Sequence, residues 1–450
     1  MCVSCGSRAA QRERQLLQHR RQQLLQSAAL MHGYVQDVQT ARRQAVDRYI
    51  AQLPVDQKIA QLFLINIEGN TVYRPVETVH DLYRRSSVPL PDGYTGREPL
   101  LPGGVLFFSY NIADTPEQEM QYIDSVYEAS ARSRAVPPFV CVDQEGGVVN
   151  RLRSLNGILP SSRRVADYLT DEQAEQLYRL QGIQLRALGF HLNLAPVTEV
   201  SKPSNEQFLG TRSYGDRERT LRYSRAAVRG YSSSGIGTVL KHFPGNTNTD
   251  PHTGLPEITW TDDELASDVI AVFKKLALWN PAGVLMSHAR VKGYDDQVPA
   301  CLSSYWVTRM LRQTVEYNGI VFSDDIFMEA LQKNGYTQQK SIVMALEAGV
   351  NCIMLSEKRF APFAAILLDL YTSDASFAEK VDDAVRRLVS WKLQCGILKL
   401  KNDVGTARSA AGETGMVQVV PVPPEEVSAR LERFRSAKDQ NNKLWAAYGA

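Results

Sequence analysis

The sequence predicts an α/β protein built around a (β/α)8 barrel of the TIM type, and three observations favour that fold. Eight short apolar runs recur along the chain, each closing on or near a polar residue. The runs are continuous rather than alternating, which is typical of parallel strands buried on both faces. Helix-like segments with N-terminal capping patterns lie between them. Eight such units over roughly 340 residues agree with a barrel enlarged by insertions, because about 250 residues suffice for the fold.

The predicted strands share an apolar interior and a polar end. In chain order they are Leu62–Ile67, Val105–Tyr110, Phe139–Asp143, Phe190–Val197, Gly237–His242, Gly283–His288, Gly319–Asp324 and Cys352–Ser356. Thr170 and Thr261 each have Gln or Glu three positions later, a pattern that begins a helix. In a barrel the strand ends share one face with the following loops, so that face is expected to carry the polar residues. An open doubly wound sheet, the alternative, would not bring polar residues together from so many strands.

The two ends of the chain differ from the middle. Residues 1–50 are rich in Gln and Arg with recurring Leu, and they are predicted to form an amphipathic helical extension. That helix is expected to pack on the barrel, with binding to a membrane surface or a partner as the alternative. The catalytic barrel is expected over residues 51–400. Residues 401–450 are predicted as a linker and a charged helix, too short for a second core.

The composition excludes some classes of function. A net charge of +2 leaves no basic footprint for nucleic acid, and no apolar run reaches the roughly 20 residues that cross a bilayer. Cys2 and Cys5 lack a second Cys or His pair, so neither a metal site nor a cofactor is expected. No leader precedes Cys2, which leaves a cytoplasmic start or the mature start of a bacterial lipoprotein whose leader was removed.

The most informative segment follows the fifth predicted strand. That strand ends in Lys241 and His242, and the Gly, Asn and Thr loop after it carries Asp250 and His252, one residue apart. The seventh strand ends in a further carboxylate, Asp324. A carboxylate at one strand end and an Asp–His pair beside another suggest covalent and acid/base chemistry on one face of the barrel.

Four segments, taken in order, resemble the bacterial β-N-acetylglucosaminidases of glycoside hydrolase family 3. They are Val142–Gly147 with Asn150–Leu152, His191–Val197 with Phe208–Gly215, Lys241–Gly245 with Asp250–His252, and Ser323–Asp325. The resemblance extends over residues 50–400. It implies a retaining mechanism, in which a carboxylate attacks the anomeric carbon while an acid protonates the leaving oxygen.

The resemblance also implies a role for each site residue. Asp324, directly after Ser in the family's Ser-Asp motif, corresponds to the nucleophile, although the residues alone do not choose between it and Asp325. His252 and Asp250 match the proton donor and its paired carboxylate in the N-acetylglucosaminidase subgroup. Imidazole suits this role because its unperturbed pKa is about 6.5. The positions that match sugar-binding residues are Asp143, Arg151, Arg212, Lys241, His242 and His288.

The chain departs from the family pattern in places. Pro251 stands where Ser is usual, the loop before it is short, and Val148 stands where Arg is common. Lys241 has an alternative reading as a structural counter-charge for a strand-end Asp. The insertion Thr71–Gly103 is expected to form a wall of the aglycone site, the part of the site that holds the leaving group.

The sequence therefore predicts a monomeric, exo-acting β-N-acetylglucosaminidase that removes terminal N-acetylglucosamine, with peptidoglycan fragments (muropeptides) as the substrate. Three alternatives remain at this point. A family 3 β-glucosidase is one, and an N-acetylglucosaminide phosphorylase is another, since a His acid/base would not repel phosphate. The third is a non-catalytic sugar-binding protein of the cell envelope.

Overall fold

The computed structural model describes residues 39–250, 254–401 and 418–448, and an eight-stranded parallel sheet lies at its centre. Strands β1 to β8, in chain order, are Phe63–Asn66, Gly104–Phe107, Phe139–Val142, Leu192–Asn193, Gly237–Phe243, Gly283–Met286, Ile320–Phe322 and Ile353–Leu355. Neighbours in the chain are neighbours in the sheet, and β8 pairs with β1. A parallel bridge between Phe322 and Cys352 closes the ring. The predicted (β/α)8 barrel is confirmed.

Each predicted apolar run overlaps one observed strand, but most of the strands are shorter than predicted. Strand β4 ends at Asn193 because Pro196, further along the same run, has no N–H to donate to a ladder. Strand β2 ends at Phe107 because residues Ser109–Asn111 turn into a single 3-10 turn. Strands β1, β2, β3 and β6 are buried at every position, as expected for strands covered on both faces.

Helices alternate with the barrel strands. They are Val55–Gln61, Val79–Tyr83, Pro116–Ser133, Arg153–Asn156, Ser162–Tyr168, Asp171–Leu188, Glu206–Leu209, Arg217–Ser233, Asp262–Glu264, Leu265–Ile270, Ala271–Ala277, Tyr305–Thr314, Glu329–Lys333, Gln338–Ala348, Ala361–Ser373 and Ala375–Gln394, with π geometry in Leu265–Ile270 and Tyr305–Thr314. Further 3-10 turns are Gly210–Arg212 and Ala300–Leu302. Thr170 and Thr261 both form the predicted capping boxes. No described helix is both long and apolar enough to cross a membrane.

Short strand pairs and the chain ends complete the described elements. An antiparallel hairpin joins Gln144–Gly146 to Val149–Asn150 directly after β3, and Glu257–Ile258 pairs with Arg290–Val291. The chain divides into two compact units, of which one contains the barrel and the C-terminal helix Val427–Tyr448. The other contains a helix over residues 39–52 and most of a two-stranded sheet, Leu398–Lys401 with Gln418–Pro421.

The C-terminal helix belongs to the barrel unit through its packing. Phe434 is buried at 1% exposure in the same apolar cluster as residues of the helix Asp171–Leu188. Arg430 of this helix pairs with Asp124. The sequence predicted a charged helix within residues 401–450, and the observed helix, Val427–Tyr448, adds packing to an existing core.

The register of the strands decides which residues meet at the functional end. Phe107 of β2 pairs with Val142 of β3, and Lys241 of β5 pairs with Leu285 of β6. Phe322 of β7 also pairs with Leu285. The residues that follow these positions therefore come out on one rim, the C-terminal end of the barrel.

Candidate active site

A cluster of four charged side chains occupies the rim after β3 and β5. The Nζ of Lys241 lies 2.6 Å from Asp143 Oδ1 and 2.6 Å from Glu145 Oε1. Arg212 binds Glu145 with both of its prongs, Nε to Oε2 at 2.8 Å and Nη2 to Oε1 at 2.9 Å. Arg151 borders the cluster, with its Nη2 4.0 Å from Asp143 Oδ2. Asp143 has the most exposed side chain of the four, at 23%. Its own carboxylate oxygens are therefore the atoms of the cluster that a ligand can reach most easily.

Mutual attraction keeps this buried cluster charged. Burial alone would raise the pKa of Glu145, but Lys241 and Arg212 together hold that pKa well below its usual range. Burial would lower the pKa of Lys241, yet Asp143 and Glu145 raise it above the ordinary value. Glu145, Lys241 and Arg212 thus stay ionised at neutral pH, and each fixes the position of another.

A third carboxylate, Glu199, fixes the start of the loop after β5. The ring Nδ1 of His242 lies 2.6 Å from Glu199 Oε1, and the main-chain N–H of Asn246 donates to Oε2 at 2.6 Å. The side-chain amide of Asn246 donates to Oε1 at 3.1 Å. Since a carboxylate accepts, the Nδ1 of His242 carries the proton. Trp260 covers the next turn so closely that a side chain at Gly245 would collide with its ring.

Asn248 anchors the middle of that loop to the segment before Arg212. Its Oδ1 accepts from the main-chain N–H groups of Gln207 at 2.9 Å and Phe208 at 3.3 Å. Its Nδ2 donates to the carbonyl of Pro203 at 2.9 Å, and its own N–H donates to the Ser204 carbonyl at 2.7 Å. Asp250 follows two residues later at the edge of the described chain, whereas His252 lies outside the described residues. Their pairing therefore stays a prediction.

The two adjacent carboxylates after β7 have different surroundings. Asp324 is 6% exposed, and its Oδ1 accepts the N–H of Asp325 at 2.9 Å. The Oδ1 of Asp325 accepts the N–H groups of Phe327 at 3.0 Å and Ser356 at 2.9 Å. Burial raises the pKa of Asp325, and the hydrogen bonds from Ser356 oppose that rise. Asp325 thus ties the end of β7 to the end of β8, which is a structural task.

A family model described as "Glycosyl hydrolase family 3 N terminal domain" matches residues 55–391. The chain belongs to glycosyl hydrolase family 3. A curated relative, "Beta-hexosaminidase LpqI" of Mycobacterium tuberculosis, is 35% identical over 233 residues, 50% of this chain and 60% of that protein. The "Beta-hexosaminidase" of Pseudomonas aeruginosa is 32% identical over 263 residues, 57% of this chain and 76% of the relative.

A solved family 3 structure supports the same placement. The glycoside hydrolase family 3 β-N-acetylglucosaminidase from Paenibacillus sp. str. FPU-7 superposes with a TM-score of 0.65 at 26% identity. That superposition covers 86% of this chain and 69% of the other. The match to LpqI spans less than two thirds of the length of LpqI.

His288 of this family 3 chain has a buried environment that the sequence did not indicate. It is 0% exposed, its Nε2 lies 2.9 Å from the carbonyl of Asp325, and its Nδ1 lies 3.1 Å from the Sγ of Cys301. A carbonyl can only accept, so Nε2 carries the proton and Nδ1 accepts from the thiol. With both nitrogens occupied, His288 positions the main chain beside Asp324, and contact with the sugar stays a prediction.

The sequence predicted most of the charged residues of the rim but not two of its carboxylates. Asp143, Arg151, Arg212 and Lys241 form one contact network, and Lys241 indeed serves as a counter-charge for Asp143. Glu145 lies in the motif Val142–Gly147, but no role was predicted for it. Glu199 lies two residues after the apolar run Phe190–Val197. A charged residue just beyond a strand was the available signal for both. In this family 3 chain Glu145 thus holds two cations of the rim and Glu199 holds the ring of His242, and the sequence left both glutamates unassigned.

Proposed function

We propose that this family 3 protein is a retaining exo-β-N-acetylglucosaminidase that hydrolyses terminal β-linked N-acetylglucosamine, with peptidoglycan fragments as the substrate. The observation that carries the proposal is that one barrel rim holds both a strand-end carboxylate, Asp324, and the charge-compensated cluster around Asp143. Such an enzyme needs a nucleophile and fixed hydrogen-bonding partners for hydroxyls, in addition to a proton donor. The β-hexosaminidase names of the two relatives support this class of substrate.

The proposed reaction is a double displacement. The carboxylate of Asp324 attacks the anomeric carbon, and the bond from that carbon to the leaving oxygen breaks as His252 gives its proton to that oxygen. Asp250 stabilises the imidazolium before this transfer and orients the ring. In the second step His252 takes a proton from water, whose oxygen attacks the anomeric carbon and releases Asp324. Two inversions give overall retention.

The charged cluster supplies substrate binding in this proposal. Asp143 accepts hydrogen bonds from sugar hydroxyls, and the ammonium of Lys241 at 2.6 Å holds it in place. Arg212 and Arg151 donate to hydroxyl or acetamide oxygens, and Glu145 fixes the plane of the Arg212 guanidinium. Because these groups are oriented before the substrate arrives, binding loses little side-chain conformational entropy.

A small panel of substrates tests the proposal. The wild-type protein is expected to release 4-nitrophenol much faster from 4-nitrophenyl β-N-acetylglucosaminide than from 4-nitrophenyl β-glucoside. NMR is expected to show that the N-acetylglucosamine product forms first as the β-anomer. It is also expected to release N-acetylglucosamine from muropeptides. Preference for the glucoside would identify a β-glucosidase, and a phosphate-dependent sugar 1-phosphate product would identify a phosphorylase. Binding of N-acetylglucosamine without any turnover would identify a sugar-binding protein.

A further inference from the structure

We propose that Phe108 and Tyr110 form an aromatic platform for a second pyranose ring, the sugar on the leaving-group side of the scissile bond. The inference rests on the proposed function, because it assigns part of the substrate to the same rim. It gives the enzyme a preference for saccharides of two or more rings over simple glycosides. Both residues follow β2 directly, on the turn that contains Ser109–Asn111.

The platform is continuous with the residues proposed to bind the first sugar. Phe107 pairs in register with Val142, so Phe108 and Asp143 emerge next to each other from β2 and β3. The guanidinium carbon of Arg151 lies 5.7 Å from the ring centroid of Phe108. The Nη2 of the same Arg151 lies 4.0 Å from Asp143. One side chain therefore contacts both the sugar-binding cluster and the aromatic pair.

Tyr110 is exposed, Phe108 is half-buried beside it, and the turn that carries both is held in place. The rings of Phe108 and Tyr110 are parallel, with centroids 5.9 Å apart, and Tyr110 is 54% exposed. The buried Asn111 accepts from the N–H of Phe108 at 3.0 Å. Its amide donates to the carbonyls of Ile67 and Gly69, both at 2.9 Å. The turn is thus fastened to the end of β1, and binding a ligand to it requires little further ordering.

A sugar ring fits this surface better than the other ligands that bind exposed aromatics. The C–H face of a pyranose packs on an aromatic ring while its hydroxyls remain in water, and a tyrosine provides such an amphipathic surface. On the β3 side, the hairpin tip adds a further exposed apolar side chain, Val148, at 78% exposure. A protein partner would need roughly 1,000 Å² of buried surface, far more than two rings provide.

The test compares two substrates that differ only in the second ring. The specificity constant kcat/KM is measured for N,N′-diacetylchitobiose, a β-linked N-acetylglucosamine disaccharide, and for methyl β-N-acetylglucosaminide. Tyr110→Ala is expected to lower the value for the disaccharide roughly fivefold to tenfold, the range of one lost aromatic contact, and to leave the methyl glycoside within about twofold. Tyr110→Phe retains the ring and is expected to behave as wild type. Tyr448→Ala, at an equally exposed 52%, is the matched control and is expected to change neither substrate.

The possible outcomes separate this inference from the proposed function. If Tyr110→Ala loses activity on both substrates equally, or on neither, while the wild type is active, the platform is refuted and the proposed function stands. If Tyr110→Phe loses as much as Tyr110→Ala, the hydroxyl rather than the ring binds substrate, which also refutes the platform. If the wild type turns over neither substrate, the proposed function fails and this inference fails with it.

Discussion

Arg212 and Glu145 form a two-pronged ion pair inside the barrel rim, in which the Glu145 side chain is only 2% exposed. The same carboxylate also accepts the ammonium of Lys241 at 2.6 Å. A glutamate to which the sequence assigned no role is therefore the group on which two proposed sugar-binding cations depend.

Glu145→Gln is expected to destabilise the fold because it removes the buried anion that compensates the Lys241 ammonium and the Arg212 guanidinium. Breaking a buried pair by removing one partner costs about 3 kcal/mol or more in the free energy of unfolding. The exposed pair of Glu128 and Arg132 provides the control, and Glu128→Gln should change that free energy by less than about 0.5 kcal/mol. Urea denaturation measures both. Equal, small effects would show that the cluster tolerates an uncompensated charge.

Asp324→Ala is expected to abolish turnover while thermal stability and sugar binding persist, because the carboxylate is proposed to bond to the anomeric carbon. Asp325→Ala is expected to lower stability by roughly 1–3 kcal/mol, because two main-chain N–H groups lose their acceptor. A fluorosugar that traps the glycosyl-enzyme, followed by mass spectrometry of peptides, identifies the labelled residue. A label on Asp325 would reverse the two assignments.

His252→Ala is expected to lower the rate by roughly 10²–10⁴-fold on substrates whose leaving group needs a proton, and much less on 4-nitrophenyl substrates. Asp250→Asn is expected to lower the rate and to move the acidic limb of the pH–rate profile to lower pH, since the imidazolium loses a stabilising partner. The double variant should be hardly slower than His252→Ala alone. Additive losses would mean that the two residues act independently.

Asn248→Ala is expected to act through the position of the loop, because it removes the three side-chain hydrogen bonds that join Asn248 to residues 203–208. The loss in kcat should be larger for methyl β-N-acetylglucosaminide than for the 4-nitrophenyl glycoside, since only the first needs the acid carried by this loop. The exposed Asn318, replaced by Ala, is the control. Equal losses on both substrates would assign Asn248 to general stability instead.

Lys392 links stability to pH. Burial lowers its pKa from 10.5 to about 7, and its Nζ donates to two neutral groups, Gln61 at 2.6 Å and the Pro137 carbonyl at 2.7 Å. Between pH 7 and 10.5 the unfolded state binds the extra proton, so this group makes stability rise with pH across that window. Between pH 7 and 9.5 the wild type should gain about 3 kcal/mol relative to Lys392→Met. The exposed Lys443, replaced by Met, should show no such change. A parallel pH dependence in wild type and Lys392→Met would contradict this.

The barrel could be predicted from the sequence because parallel buried strands have a local signature, continuous apolar runs such as Val105–Phe107. The strand-end residues Asp143 and Lys241 followed from the same pattern, since each stands where an apolar run stops. The partners Glu145 and Glu199 did not, because a short hairpin carries the first and a loop carries the second, and tertiary contacts fix the course of both segments. Gly146, at a φ of 90°, is an example: a side chain there would collide with the carbonyl of Pro160.

The four charges of the rim cluster, two carboxylates and two cations, sum to zero. A neutral saccharide therefore meets strong hydrogen-bonding groups without a net electric field that would also gather ions from solution. Mobile salt screens fields, and it has little effect on short contacts inside a buried, balanced set. Recognition of the sugar should consequently vary little between dilute buffer and about 0.5 M sodium chloride, a tolerance that enzymes relying on long-range attraction of a charged substrate do not have.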